Sequence, residues 1–233
     1  NDLEDWYKCN KPTIVIIAAA KVGGILANTE KPYDFIFENL KLQANIIELS
    51  RKFLVKKILF LGSSCIYPKF SQQPIKEEYL LGNHLEATNQ WYAIAKIAGI
   101  KLCESIYLQH NINAISLMPC NLFGPGDNYD LSTSHVLPAL IRKFLTAKNN
   151  NQDQVICWGT GDPLREFLYV DDLAEACIFA LKNWDITSKD ALLDASQKKL
   201  AWLNVGSGKE ISIRDLAEKI SELVEYKGKI IWD

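Results

Sequence analysis

Short, almost continuous apolar runs alternate along this chain with longer stretches in which apolar residues recur every three to four positions. The short runs predict strands over 13–19 (TIVIIAA), 57–63 (KILFLGS), 112–118 (INAISLM), 154–158 (QVICW) and 201–205 (AWLNV). The longer ones predict helices over 33–53, 90–109, 134–148, 171–183 and 212–225. KGKIIWD, at the end, reads as a further strand. Alternation of this kind predicts parallel strands joined by crossover helices. Strands that are apolar on both faces must be covered on both, which makes the fold class α/β with a doubly wound parallel sheet. Such sheets bind ligands at the carboxyl ends of their strands, where AAAKVGG, GSSCIYP and PCNLFGPG fall.

A dinucleotide-binding sheet opens with a strand, a turn carrying three spaced glycines, and a helix whose N-terminus holds the pyrophosphate. Only residues 1–12 precede the first predicted strand, and Gly23 and Gly24 are too few for that turn. The chain also starts at Asn1 rather than Met. The expectation is a fragment without the first βαβ unit, so that the sheet is incomplete at its N-terminus. Residues 1–123 and 163–206 are expected to form the main domain, with 124–162 and 207–233 forming a smaller, substrate-binding lobe.

Composition narrows the function classes. The 233 residues are 48% hydrophobic and 23% charged, enough to bury a sizeable core. A net charge of -2 and a pI near 6.0 provide no basic field, so neither nucleic acid nor an anionic membrane is an expected partner. No apolar run approaches the roughly 20 residues that span a bilayer, and no leader-like segment opens the chain, so the expected location is cytoplasmic. Cys9, Cys65, Cys103, Cys120, Cys157 and Cys177 are scattered without a C-x-x-C pair, and there are 3 histidines, so no metal site is expected.

Candidate chemistry gathers around Tyr92 and Lys96 in TNQWYAIAKIAGIKLCES. A spacing of four places both on one helix face, and an ammonium close to a phenol is expected to lower the phenol's pKa. With 9 tyrosines in a lysine-rich chain, about one such spacing arises by chance, so context must decide. Tyr7 and Lys11 share the spacing, but Pro12 opposes a helix continuing through Lys11. Before Tyr92, by contrast, stands a predicted strand ending in Ser63, Ser64 and Cys65. If that strand end is extended, Ser63 and Cys65 point the same way.

These residues, together with AAAKVGGILAN, MPCNLFGPGDNY, SHVLPALIRKF, WGTGDPLREFLYVDDLAEA and LNVGSG, resemble the extended short-chain dehydrogenase/reductase superfamily. Within it the chain is similar to the GDP-L-fucose synthases. The resemblance implies a Rossmann-like domain, NADP(H) as cofactor, GDP-4-dehydro-6-deoxy-D-mannose as substrate and a homodimer. It implies 3,5-epimerisation followed by 4-keto reduction. Because the C4 ketone acidifies C3–H and C5–H, inversion needs one group to remove a proton and another to return it. By resemblance these are Cys65 and His135, whose reference pKa values of about 8.5 and 6.5 suit exchange near neutrality. Ser63 is expected to hydrogen-bond the C4 oxygen, Tyr92 to protonate it, and Lys96 to tune Tyr92 and bind the nicotinamide ribose.

The resemblance also carries cofactor contacts to Leu61, Gly62, Ser63, Ser64, Tyr92, Lys96, Pro119, Cys120, Asn121, Leu122 and His135. Substrate contacts fall on Lys143, Trp158 and Arg165, the last two being a flat ring and a forked cation suited to a base and a diphosphate. Read without it, His135 is a helix-start residue, Trp158 a core residue and Arg165 half of a surface pair with Glu166. Lys143 departs from the arginine common in bacterial relatives and loses the bidentate fork. A nucleotide-sugar 4-epimerase or 4,6-dehydratase would share Tyr92 and Lys96; Cys65 and His135 discriminate against both. A non-catalytic nucleotide-sensing module is the alternative from another class.

Overall fold

A computed structural model describes residues 2–233. The chain forms α1 (Asp2–Asn10), β1 (Ile14–Ile17), α2 (Ile25–Glu30), α3 (Pro32–Lys52) and β2 (Lys57–Leu61). Short 3-10 turns follow at Ser64–Ile66 and Glu77–Tyr79, then α4 (Gln90–His110), β3 (Asn113–Pro119), β4 (Asn121–Phe123), α5 (Val136–Asn149) and β5 (Gln154–Cys157). The remainder is β6 (Leu164–Tyr169), α6 (Val170–Asn183), β7 (Trp202–Val205), β8 (Glu210–Ser212), α7 (Ile213–Leu223) and β9 (Lys229–Trp232). Among the described residues, no helix is long and apolar enough to cross a membrane.

Two compact units result, one running up to Cys120 and then over Asp172–Val205, the other comprising Asn121–Asp171 and Gly206–Asp233. The first is built on a four-stranded sheet of order β1-β2-β3-β7, parallel throughout. Ile58 and Phe60 of β2 pack with Ile47 of α3 and with Ile97, Ile100 and Cys103 of α4. Leu59, which alternates with them, is also fully buried, as are all seven residues of β3. Both faces of the central strands are therefore covered, as a doubly wound sheet requires. Local signals set the helix ends. Pro32 opens α3, where a missing N–H costs nothing, and α4 stops at Asn111, whose left-handed φ of 52° lets its N–H close on Tyr107 O.

In the second unit β4, β6 and β8 form one sheet, and β5 pairs in parallel with β9. Leu140 and Phe144 of α5, Val155 and Cys157 of β5, and Leu216 and Ile220 of α7 make its core. Ser212 caps α7, its Oγ accepting from Asp215 N at 2.9 Å.

Each of the five predicted helices is present within two residues at its ends. Four of the five internal predicted strands join the main sheet. The strand predicted over 154–158 does not: only Val155 and Cys157 of β5 are buried, so it has one covered face and lies beside β9 instead. The units divide at 120/121, 171/172 and 205/206 rather than at 123, 162 and 206, because β6 pairs with β4 and β8. Residue 1, which opens the expected first domain, lies outside the described residues. The Tyr7–Lys11 spacing is broken as expected: α1 ends at Asn10, Lys11 has φ of 45°, and buried Tyr7 bonds Ser50 Oγ at 3.0 Å.

Gly99 sits where α4 crosses β2. A Cβ there would collide with the Phe60 ring and come within 2.8 Å of Gln43 Oε1, in a region where Gln43 Nε2 also donates to Ala95 O at 2.6 Å. Gly99→Ala is expected to destabilise the protein by about 1–3 kcal/mol through overpacking, despite alanine's better helix propensity. Urea unfolding followed by circular dichroism checks this; an unchanged or raised midpoint contradicts it.

Candidate active site

The site in the first unit begins where β2 runs out. At Gly62 the chain passes so close to Met118 that a Cβ would overlap its sulfur, and any larger residue would force that side chain to move. The chain does not stay extended beyond Ser63. It turns at once into the 3-10 helix Ser64–Ile66, with Ser63 as its cap and Ser63 Oγ accepting from Cys65 N at 3.5 Å. Strand alternation therefore does not bring Ser63 and Cys65 together. The cap does, because a free N–H at the start of the turn needs an acceptor.

From the other side α4 presents Tyr92 and, one turn later, Lys96. Lys96 is only 3% exposed; its Nζ donates to Leu61 O at 2.7 Å and stands 4.8 Å from the centroid of the Phe60 ring and 5.7 Å from that of Tyr92. Burial is the main influence on all three titratable groups. It raises the Cys65 thiol to about 11, against the opposing effects of a Ser63 hydrogen bond and the Lys96 charge. It lowers Lys96 to about 8, with Cys65 pulling the other way. It pushes Tyr92 well above the usual phenol range; Cys65 adds to the rise and a hydrogen bond with Ser63 opposes it.

This corrects the expectation that Lys96 acidifies Tyr92. The ammonium is spent on the Leu61 carbonyl and lies over the Phe60 ring, and desolvation of the phenol dominates. The structure instead links Ser63 to both Cys65 and Tyr92. Sequence reasoning missed Phe60 as the face beneath Lys96, although an aromatic two positions before Gly62 was visible. It also missed Tyr67, whose hydroxyl donates to Asn204 Oδ1 at 2.6 Å, while Asn204 N donates to Glu77 Oε1 at 2.9 Å. Those bonds fasten the segment after Cys65 to β7.

The other candidates lie as follows. Leu61 ends β2 and Gly62 follows it, Ser64 opens the 3-10 turn, and Pro119 closes β3, with Cys120 N donating to Val205 O at 3.0 Å. In the second unit Asn121 and Leu122 belong to β4, and Asn121 Nδ2 donates to Glu166 O at 2.9 Å, a bond between strands. His135 is exposed at the N-cap position of α5, and its side chain makes no capping bond. Lys143 lies on α5 and Trp158 just after β5; Trp158 is 70% exposed and so is not a core residue. Arg165 is exposed on β6, and its neighbour Glu166 accepts from Gly208 N at 2.6 Å instead of pairing with it.

The sequence profile of the NAD dependent epimerase/dehydratase family matches residues 1–191. The chain belongs to this family. Among curated family members, the putative GDP-L-fucose synthase 2 of Arabidopsis thaliana is 53% identical over all of this chain and 67% of its own length. The GDP-L-fucose synthase of Escherichia coli K12 is 47% identical over 99% of this chain and 71% of its own. The likeness to GDP-L-fucose synthases thus runs end to end, while the chain spans about two thirds of these relatives' length. Among solved structures, a GDP-mannoheptose C4 reductase of Campylobacter jejuni with NADP bound superposes with a TM-score of 0.87 at 34% identity, over 99% of this chain and 75% of that one.

The thiolate is the reactive form of cysteine. With a pKa near 11, Cys65 is expected to alkylate slowly at pH 8 and ever faster as pH rises towards that value. Iodoacetamide labelling followed by peptide mass spectrometry checks this. A rate that levels off near the ordinary thiol value of about 8.5 contradicts it.

Proposed function

We propose that the protein converts GDP-4-dehydro-6-deoxy-D-mannose to GDP-L-fucose with NADPH, by epimerisation at C3 and C5 and reduction at C4. The observation that carries this reading is that Ser63, whose Oγ accepts from Cys65 N, stands within reach of the side chains of both Cys65 and Tyr92 at the end of β2. Ser63 thus stands between a group able to exchange protons with carbon, on the turn after β2, and a group able to protonate oxygen, on α4. The curated relatives named GDP-L-fucose synthase support the substrate, and the NADP-bound reductase supports the cofactor. A cytoplasmic homodimer is part of the same reading, and the first unit is its cofactor-binding part.

The donors in the first unit suit the nicotinamide end of such a cofactor. Lys96 and Tyr92 offer N–H and O–H groups beside the carboxyl end of β2, the side on which parallel sheets bind nucleotides. Lys96 would hold the ribose hydroxyls, with Leu61, Gly62, Ser63, Ser64, Pro119, Cys120, Asn121 and Leu122 as further contacts. When bound, NADPH supplies the hydride for C4. Ser63 hydrogen-bonds the C4 oxygen and stabilises the charge that develops there as C3 or C5 loses its proton. Cys65 moves a proton at those carbons, and His135 is the second acid–base group in this scheme. Tyr92, held protonated by burial, gives its proton to the C4 oxygen on reduction. A dehydratase would need an acidic pair after Ser63, where this chain has Ser64 and Cys65.

Two variants separate the steps. Tyr92→Phe is expected to lower NADPH consumption by about 10² to 10⁴, the usual cost of losing a positioned proton donor. Cys65→Ser, nearly isosteric but far less acidic, is expected to suppress deuterium uptake at C3 and C5 in D₂O while hydride transfer to C4 continues. Mass spectrometry and NMR of the product read both. Parent-like turnover by Tyr92→Phe, or full deuterium uptake by Cys65→Ser, contradicts the assigned roles.

A further inference from the structure

The turn that carries Cys65 is weakly held by its own bonds. Ile66 N reaches Ser63 O at 3.3 Å, Tyr67 N reaches Ser64 O at 3.4 Å and Cys65 N reaches Ser63 Oγ at 3.5 Å, all beyond the usual N–H···O distance. A single 3-10 turn has poor bond geometry to begin with, so what fixes the thiol must come from outside the turn. Ile66, fully buried, supplies packing. The short bond belongs to the next residue: buried Tyr67 donates its hydroxyl to Asn204 Oδ1 at 2.6 Å. Asn204 lies on β7, which β3 separates from β2, so the Tyr67 side chain bridges the end of the sheet.

Asn204 commits three of its polar groups to the stretch that follows the turn. Besides accepting from Tyr67, it donates Nδ2 to Ile75 O at 3.0 Å and its backbone N to Glu77 Oε1 at 2.9 Å. The Ile75 carbonyl accepts only, which fixes the amide with its oxygen towards Tyr67. Burial, with the Glu77 charge adding to it, pushes the Tyr67 phenol well above its usual range, so the hydroxyl stays a donor. One residue of β7 therefore holds both ends of the stretch from Tyr67 to Glu77. We propose that Asn204 is a positioning residue: through the Tyr67 hydroxyl it holds the turn after β2, and with it the Cys65 thiol, in the place from which a proton is exchanged with substrate carbon. This rests on reading Cys65 as the group that moves that proton. Such a transfer tolerates little error, since a misplacement of about 1 Å costs about 10² in rate.

Iodoacetamide labelling of the purified protein, read by peptide mass spectrometry, tests the holding contact without substrate. Tyr67→Phe keeps the ring and removes the hydroxyl; Asn204→Leu keeps the size and removes the acceptor. Each is expected to speed Cys65 labelling at pH 8 by about two- to tenfold, the worth of one hydrogen bond. Cys103, fully buried on α4 of the same unit, should label as slowly as in the parent. The double variant should label no faster than Asn204→Leu alone, because both residues act through one bond. Unchanged Cys65 labelling in either single variant overturns the proposal, and so does a parallel rise at Cys103, which means general loosening. Rates that multiply in the double variant show two separate routes and overturn it as well. The second readout is deuterium uptake at C3 and C5 relative to hydride transfer to C4, a ratio that Tyr67→Phe is expected to lower by about the same factor. If Cys65→Ser lowers this ratio and Tyr67→Phe does not, the positioning role falls. If Cys65→Ser leaves it unchanged, the reading of Cys65 falls instead, and the labelling result stands apart from it.

Discussion

The hydrogen bond from Lys96 Nζ to the Leu61 carbonyl is the contact on which the first unit's chemistry depends. Taking an ammonium out of water costs several kcal/mol, so a lysine this deeply buried stays only where its donors and charge are answered. Leu61 O answers the donor and the Phe60 ring the charge. Because Leu61 is the last residue of β2, the bond ties α4 to the end of the strand from which Ser63 and Cys65 depart. Tyr92, one turn before Lys96, is carried to the same place. Gly99, less than one turn after it, lets the helix come close enough.

Burial then orders the acid–base behaviour. It favours the uncharged form of every group it covers, holding the proton on Cys65 and Tyr92 and loosening it on Lys96. Lys96 and Cys65 offset each other's burial, since each prefers its charged form when the other is charged. Ser63, which does not titrate, touches both proton carriers.

Much of this was legible in the chain. The α4 periodicity, the apolar run of β2 and the Tyr92–Lys96 spacing predicted which elements meet, because helix and strand periods are local properties of sequence. Strands β4, β6 and β8 were not legible: each is short, and their pairings join residues about 45 positions apart. The strand at 154–158 was legible but its sheet was not, since its partner, β9, is set by non-local packing. At the site, the residues were legible and their electrostatics were not. The pull of Lys96 on Tyr92 follows from spacing alone, whereas its defeat by desolvation depends on how deeply α4 is packed.

The burial of Lys96 is open to direct titration. With ¹⁵N-lysine in the protein and the Lys96 signal assigned through Lys96→Arg, its Nζ resonance followed against pH should report a midpoint near 8. In Cys65→Ala the midpoint should stay near that value, because burial is the main cause of the shift and the Cys65 thiol, pushed up to about 11, is still uncharged as Lys96 titrates. A midpoint at the ordinary lysine value of about 10.4 would contradict the account.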